Sequence, residues 1–138
     1  MNLTSLITDN ITELLVKIIE FTQSRQKILT RNINNIHSSG FVPKDLAVDK
    51  FGGLLADAID EHIRSQRLVL RDTEDIKFGA GGSFKVKPVV DKYAKELFEE
   101  NRNEYLELQI DKLLENSLNQ RVAAELLRHR QETISIFG

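Results

Sequence analysis

The first forty residues carry two adjacent heptad seams, and this feature limits the fold more than any other. Ile7, Ile11, Leu14, Ile18, Phe21, Arg25, Ile28, Asn32 and Asn35 follow one another in steps of four and three. Leu15, Ile19, Thr22, Gln26, Leu29, Ile33 and Ile36 form a second series beside them. Alternating steps of four and three place side chains on one stripe of an α-helix, so the segment is expected to be one long helix ending at Ser38-Ser39-Gly40. Two neighbouring stripes make a face wide enough for more than one partner. Asn10 followed by Glu13 offers a capping arrangement at or after the helix start. Gly40 suits the left-handed backbone that follows many helix ends.

The rest of the chain changes period twice. Pro43 disfavours the helical region for Val42, so Phe41-Val42-Pro43-Lys44 is expected to be extended. A short helix is expected from Leu54 to Ile63, with Gly52-Gly53 as a joint before it. Ile76-Lys77-Phe78 and Phe84-Lys85-Val86 alternate apolar and basic residues around Gly79-Ala80-Gly81-Gly82-Ser83, which predicts a β-hairpin. Leu68-Val69-Leu70 is a candidate third strand. Pro88 could open a helix through Tyr93, Ala94, Leu97 and Phe98. Asn101-Arg102-Asn103 marks a break. Beyond it Leu106, Ile110, Leu113, Leu114, Leu118, Val122, Leu126 and Leu127 recur at helical spacing. The expected fold is therefore mainly α in one unit, 1–138. A helix over 1–40 and another over 101–138 pair as an antiparallel coiled coil, around a small insert, 41–100, with a short helix and a hairpin. Helices with wide apolar stripes need packing partners. Partner chains and a self-contained bundle both satisfy that need.

Composition excludes several function classes. The 138 residues are 41% hydrophobic and 29% charged, with net charge -2 and a pI near 5.9, which gives no basic nucleic-acid footprint. No segment reaches the roughly 18 apolar residues of a membrane span. The first basic residue, Lys17, interrupts an apolar run, so no cleaved secretory signal is expected. Cysteine is absent, which removes disulfides and thiolate metal sites.

Candidate chemical sites are weak. His37, His62 and His129 lie far apart without metal-ligand spacing, so no metal is expected. The glycines at 79–82 lack the Lys-Ser/Thr of a phosphate loop and read better as a turn. Asp57, Asp60 and Glu61 beside Arg64 form a charged helix face. Arg121, Arg128 and Arg130 alternate with Glu125 and Glu132 as an ordinary charged surface. No nucleophile, orienting base and oxyanion donor occur together, so neither catalysis nor a cofactor is expected.

One segment carries more information. Thr30-Arg31-Asn32-Ile33-Asn34-Asn35-Ile36-His37-Ser38-Ser39-Gly40-Phe41 resembles the A-N-N-I-A-N-x-N-T-P-G-Y signature of the bacterial flagellar axial family, the rod and hook proteins. Asn32, Ile33, Asn35 and Gly40 match, Ser38 stands for Thr, and Phe41 stands for Tyr. Lys44-Asp45-Leu46 is similar to the K/R-D-V that follows in rod members. Leu113-Leu114-Glu115-Asn116-Ser117-Leu118 is similar to the L-A-x-N-x-L of their last helix. The likeness covers both ends and leaves 51–100 unmatched. Asn34 replaces a small alanine, Arg31 an asparagine, and His37-Ser38-Ser39 the N-T-P, which loses a rigid exit. The short insert favours the rod members over those with larger inserts.

The resemblance implies a non-enzymatic structural subunit of the flagellar basal body, exported by the type III apparatus. It implies helical self-association and contact with other rod and basal-body proteins, with terminal helices that order on assembly. Ile18, Leu29, Asn32, Ile33, Asn35, Gly40, Phe41, Leu113, Asn116 and Leu118 are the expected assembly residues. Asn32 and Asn35 could instead serve only the helix end. A helical adaptor laying one amphipathic helix into a partner's groove is the alternative function.

Overall fold

A computed structural model describes the backbone of residues 3–79 and 84–137, and side-chain surroundings for 10–79 and 84–132. The expected turn at 80–83 and the side chain of Ile7 lie outside the described residues.

Two long helices dominate. The first, α1, spans Leu3–Asn34, and the last, α4, spans Arg102–Phe137. At 1.5 Å per residue they measure about 48 and about 54 Å. They pack against each other along their lengths. Thr22 meets Asn116, and Asn32 meets Gln109 and Tyr105, so rising number in one helix matches falling number in the other. The pair is antiparallel, as the two terminal periodicities predict.

Between them lie β1 (Lys44–Asp45), α2 (Val48–Ser65), β2 (Ile76–Lys77), β3 (Lys85–Val86), β4 (Val89–Val90) and α3 (Lys92–Glu100). The expected hairpin is present, with Ile76 opposite Val86 and Lys77 opposite Lys85. A second antiparallel pair joins β1 to β4, with Lys44 opposite Val90 and Asp45 opposite Val89. It ties the exit of α1 to the entrance of α3.

Several local expectations are corrected. The α1 helix runs from Leu3 and stops at Asn34, and Asn10 sits inside it rather than at its cap. The Asn10 side chain donates instead to the Gln66 carbonyl at 3.1 Å, tying α1 to the end of α2. Gly52-Gly53 is not a joint, because α2 begins four residues earlier and runs through both glycines. Helical glycine costs about 1 kcal/mol per residue. Phe51 offsets that cost, stacking on Phe21 at 4.0 Å between ring centroids. Leu68-Val69-Leu70 forms no strand. Pro88 does not open α3; Val89-Val90 enters a strand, and Asp91 caps the helix by accepting from the Ala94 amide at 3.1 Å. Asn101 is both the end of α3 and the side-chain cap of α4, accepting from the Glu104 amide at 3.1 Å.

The core sits where the insert meets α1. Phe21, Leu46, Phe51, Ile76 and Phe78 are buried together, with Ile18, Ile28, Leu54, Leu55, Phe84 and Val86 packed around them. The small insert therefore covers the seam of α1 that α4 leaves open. A second cluster of Ala94, Phe98 and Tyr105, flanked by Ile36 and Phe41, closes the other end of the insert.

Candidate assembly site

The helix pair is held by polar groups at its centre. Positions 105, 109, 112, 116 and 123 of α4 follow heptad steps, and they are Tyr, Gln, Lys, Asn and Ala. Tyr105, Gln109, Asn116 and Ala123 are buried. Each of the polar ones has at least one partner, while the Gln109 Nε2 group is buried without one. The Tyr105 hydroxyl donates to the Asn32 carbonyl at 2.8 Å, and the Asn116 amide donates to the Thr22 carbonyl at 2.8 Å. Gln109 accepts from Asn32 Nδ2 at 2.9 Å. Burial and the Asp91 charge, partly opposed by Arg102, push the Tyr105 phenol up to about 12.

Asn32 is the node of this network. Its Nδ2 also donates to the Lys44 carbonyl at 2.7 Å, while its Oδ1 accepts from the Lys44 amide at 3.3 Å. One side chain thus joins α1, β1 and α4. Few residues could replace it, because the position needs a donor and an acceptor on one short planar group.

Beside it lies a charge cluster that couples four elements. Arg25 donates through Nε and Nη2 to the two oxygens of Asp45, both at 2.9 Å. Lys112 reaches Asp45 Oδ2 at 3.1 Å and also pairs with Asp91. Burial opposes ionisation of Asp45. The Arg25 hydrogen bonds and charge, Lys112 and the Leu46 amide outweigh that, holding its carboxyl below the usual value of 3.8. This cluster fixes where β1 crosses the helix pair. The sequence held a sign of it: Arg25 stands on an apolar seam, and a buried guanidinium there demands a carboxylate.

The exit of α1 is built from the motif residues. Asn35 donates back to the Arg31 carbonyl at 2.9 Å and accepts from the Ser38 hydroxyl at 2.9 Å. Gly40 has φ +74°, the left-handed conformation expected for it. Phe41 then turns inward, edge-on to Phe98 at 6.0 Å. Arg102 lies over the Phe98 ring and donates to the Ile36 carbonyl, closing the corner.

The ten expected assembly residues divide by position. Leu29, Asn32 and Asn116 are buried within the chain. Ile18 packs on the insert core, Phe41 packs on the second cluster, and Ile33, Asn35 and Leu113 are half-buried. Gly40 is exposed, and Leu118 is exposed on α4. The structure brings Asn32 to the helix pair and leaves Asn35 to the local turn.

Leu118 belongs to a larger feature that the sequence did not separate. Ile110, Leu114, Leu118, Val122 and Leu126 are 42%, 64%, 59%, 50% and 50% exposed. They stand four residues apart, forming one continuous ridge on the outer side of α4. The helix buries its polar seam and turns these aliphatic side chains outward.

Among the described residues, no helix is long and apolar enough to cross a membrane, and no group of three or more His, Cys, Asp or Glu residues could hold a metal ion. Comparison with protein-family models, with characterised proteins and with solved structures finds no match to this chain.

Proposed function

We propose that this chain is a structural, non-enzymatic subunit of the bacterial flagellar basal-body rod, of the proximal-rod type. In this reading it leaves the cytoplasm through the flagellar type III apparatus. It then packs helically with copies of itself and with other rod and basal-body proteins in the periplasm. The observation that carries the reading is the outward aliphatic ridge of α4 on an antiparallel pair of terminal helices. Such a ridge is suited to burial against neighbours, and contacts without closing rotation build filaments. The axial-family signature around Asn32, Asn35, Gly40 and Phe41 supplies the flagellar part of the reading.

A second reading draws on the same ridge. A helical adaptor could seat α4 in the groove of a cytosolic partner. Export separates the two. Deletion of the gene, complemented by wild type or by Leu114→Asp, would be scored for motility and for rods in isolated basal bodies. The rod reading expects loss of rods on deletion, rescue by wild type and no rescue by the ridge variant. Normal basal bodies in the deletion strain would overturn it.

A further inference from the structure

We infer that the outer edge of the run from Lys85 to Val90 is a docking site for an extended acidic peptide segment of another protein, added as a further β-strand. This inference goes beyond the rod reading and does not depend on it.

The ladders show which edge is open. In an antiparallel ladder, successive residues turn their N–H and C=O groups to opposite edges. The Lys87 amide donates to the Asp75 carbonyl at 2.8 Å, and the Asp91 amide donates to the Pro43 carbonyl at 3.1 Å. With the strand registers, this turns Lys85 and Lys87 toward β2, and Val89 and Asp91 toward β1. Val86 and Val90 therefore turn their main-chain groups away from those partners. Among the described residues no hydrogen bond reaches these groups, and Val90 is 46% exposed.

The corresponding edges of the partner strands are closed. On β2 the Ile76 amide donates to Thr73 Oγ1 at 3.2 Å, and the Ile76 carbonyl accepts from the Thr73 amide at 2.8 Å. The Phe78 amide donates to Asp72 Oδ1 at 2.8 Å. On β1, Asn32 holds both main-chain groups of Lys44. Among the described strands, only the 85–90 run keeps an edge without such cover. Pro88 has no N–H to offer a ladder, and such a residue is tolerated on an outer edge.

Charge selects the occupant. Residues 76–95 contain Lys77, Lys85, Lys87, Lys92 and Lys95 against a single acid, Asp91, in a chain whose net charge is -2. All five lysines are exposed. Asp91 is engaged by Lys112, and Asp75 of the facing strand lies 3.4 Å from Lys50. A second copy of this edge would set lysines beside lysines, which disfavours it. A nucleic acid would answer the lysines but presents no row of alternating N–H and C=O groups. An extended acidic peptide answers both.

The probe is a blocked peptide of four Glu-Val repeats, whose extended form puts every carboxylate on one face. Added to the full chain, it should slow exchange of the Val86 and Val90 amides about tenfold, as followed by NMR. The Lys87 and Asp91 amides, bonded already, should change little. Lys85→Glu combined with Lys87→Glu, both at exposed positions, should weaken binding about tenfold. The same double variant should accept four Lys-Val repeats instead. Methylating the peptide nitrogens should abolish binding with the charge unchanged. Binding that survives methylation, tighter binding of a DNA oligonucleotide of equal charge, or a dissociation constant weaker than about 1 mM would each overturn the inference. None of these results would touch the rod reading, which is decided in cells by motility and basal bodies.

Discussion

The two terminal helices are nearly equal in length and both are rich in aliphatic residues, yet they use them in opposite ways. In α1 the apolar seams point inward, one against α4 and one against the insert, with Leu29 fully buried and Phe21 in the main core. In α4 the inward seam is Tyr105, Gln109, Lys112, Asn116 and Ala123, and much of its aliphatic surface faces out. Hydrophobic periodicity identifies a helix and its stripes. It does not decide which stripe is inside when a polar seam can satisfy most of its own groups. Here Asn32, Asp45 and the Thr22 carbonyl supply partners for nearly the whole polar seam. Buried hydrogen-bonded groups of this kind also fix register, as polar seam residues do in coiled coils.

The strongest way to break the comparison is to strand a charge at its centre. Arg25→Met leaves Asp45 buried beside Lys112 alone, and should cost about 3–5 kcal/mol in urea denaturation. Acid offers an independent check. Asp45 titrates below 3.8 in the folded chain, so its contribution is complete above that value. It is lost as pH falls through the lowered folded value, because the unfolded state then binds more protons. Wild type should lose stability in that acid range, and Arg25→Met should lose less. A loss under 1 kcal/mol would show that the cluster does not hold the crossing.

A smaller effect is expected in the apolar seam. Leu29→Ala should destabilise by about 2–5 kcal/mol, the range for deleting a fully buried leucine. At the corner after α1, Gly40 adopts positive φ with nothing within 4 Å of a built Cβ. Backbone strain is then the only cost, about 1–3 kcal/mol for Gly40→Val. Gly40→Asn should be milder, because asparagine tolerates that region. Equal losses for the two would show that the corner is not limited by backbone conformation.

The smallest effect belongs to the outer ridge. Leu114→Ser should change the stability of the dilute monomer by no more than about 0.5 kcal/mol, as for other exposed positions. That value set beside Leu29→Ala sharpens the contrast: two helical leucines, one structural and one available for docking. A loss near 2 kcal/mol at Leu114 would show that it is buried within the single chain.

The long helices, the hairpin and the Gly40 corner are legible because each rests on a local pattern, and the pairing of the terminal helices because each carries an apolar stripe that needs cover. The period of the seams, the alternation around Ile76 and Val86, and a glycine past a helix end all act over a few residues. What escaped depended on distant partners. No local pattern tells that Phe51 will stack on Phe21, so two glycines that locally suit a joint lie inside a helix. Asp91 outcompeted Pro88 as the start of α3 because its backbone amide is held by the Pro43 carbonyl at 3.1 Å. The outward ridge was written in the sequence as the steps from Ile110 to Leu126. Its direction followed only from the hydrogen bonds of the opposite seam.

The grip of Asn32 on Lys44 has a consequence for solubility. β1 bonds to β4 on one side, and the Lys44 amide and carbonyl point to the other. An unpaired strand edge is a template for chain-to-chain pairing, and proteins guard such edges with charge, bulges or cover. Here a single carboxamide fills the position a third strand would take. The charged Lys44 side chain remains exposed beside it. That edge of β1 is therefore closed to strand addition by another copy.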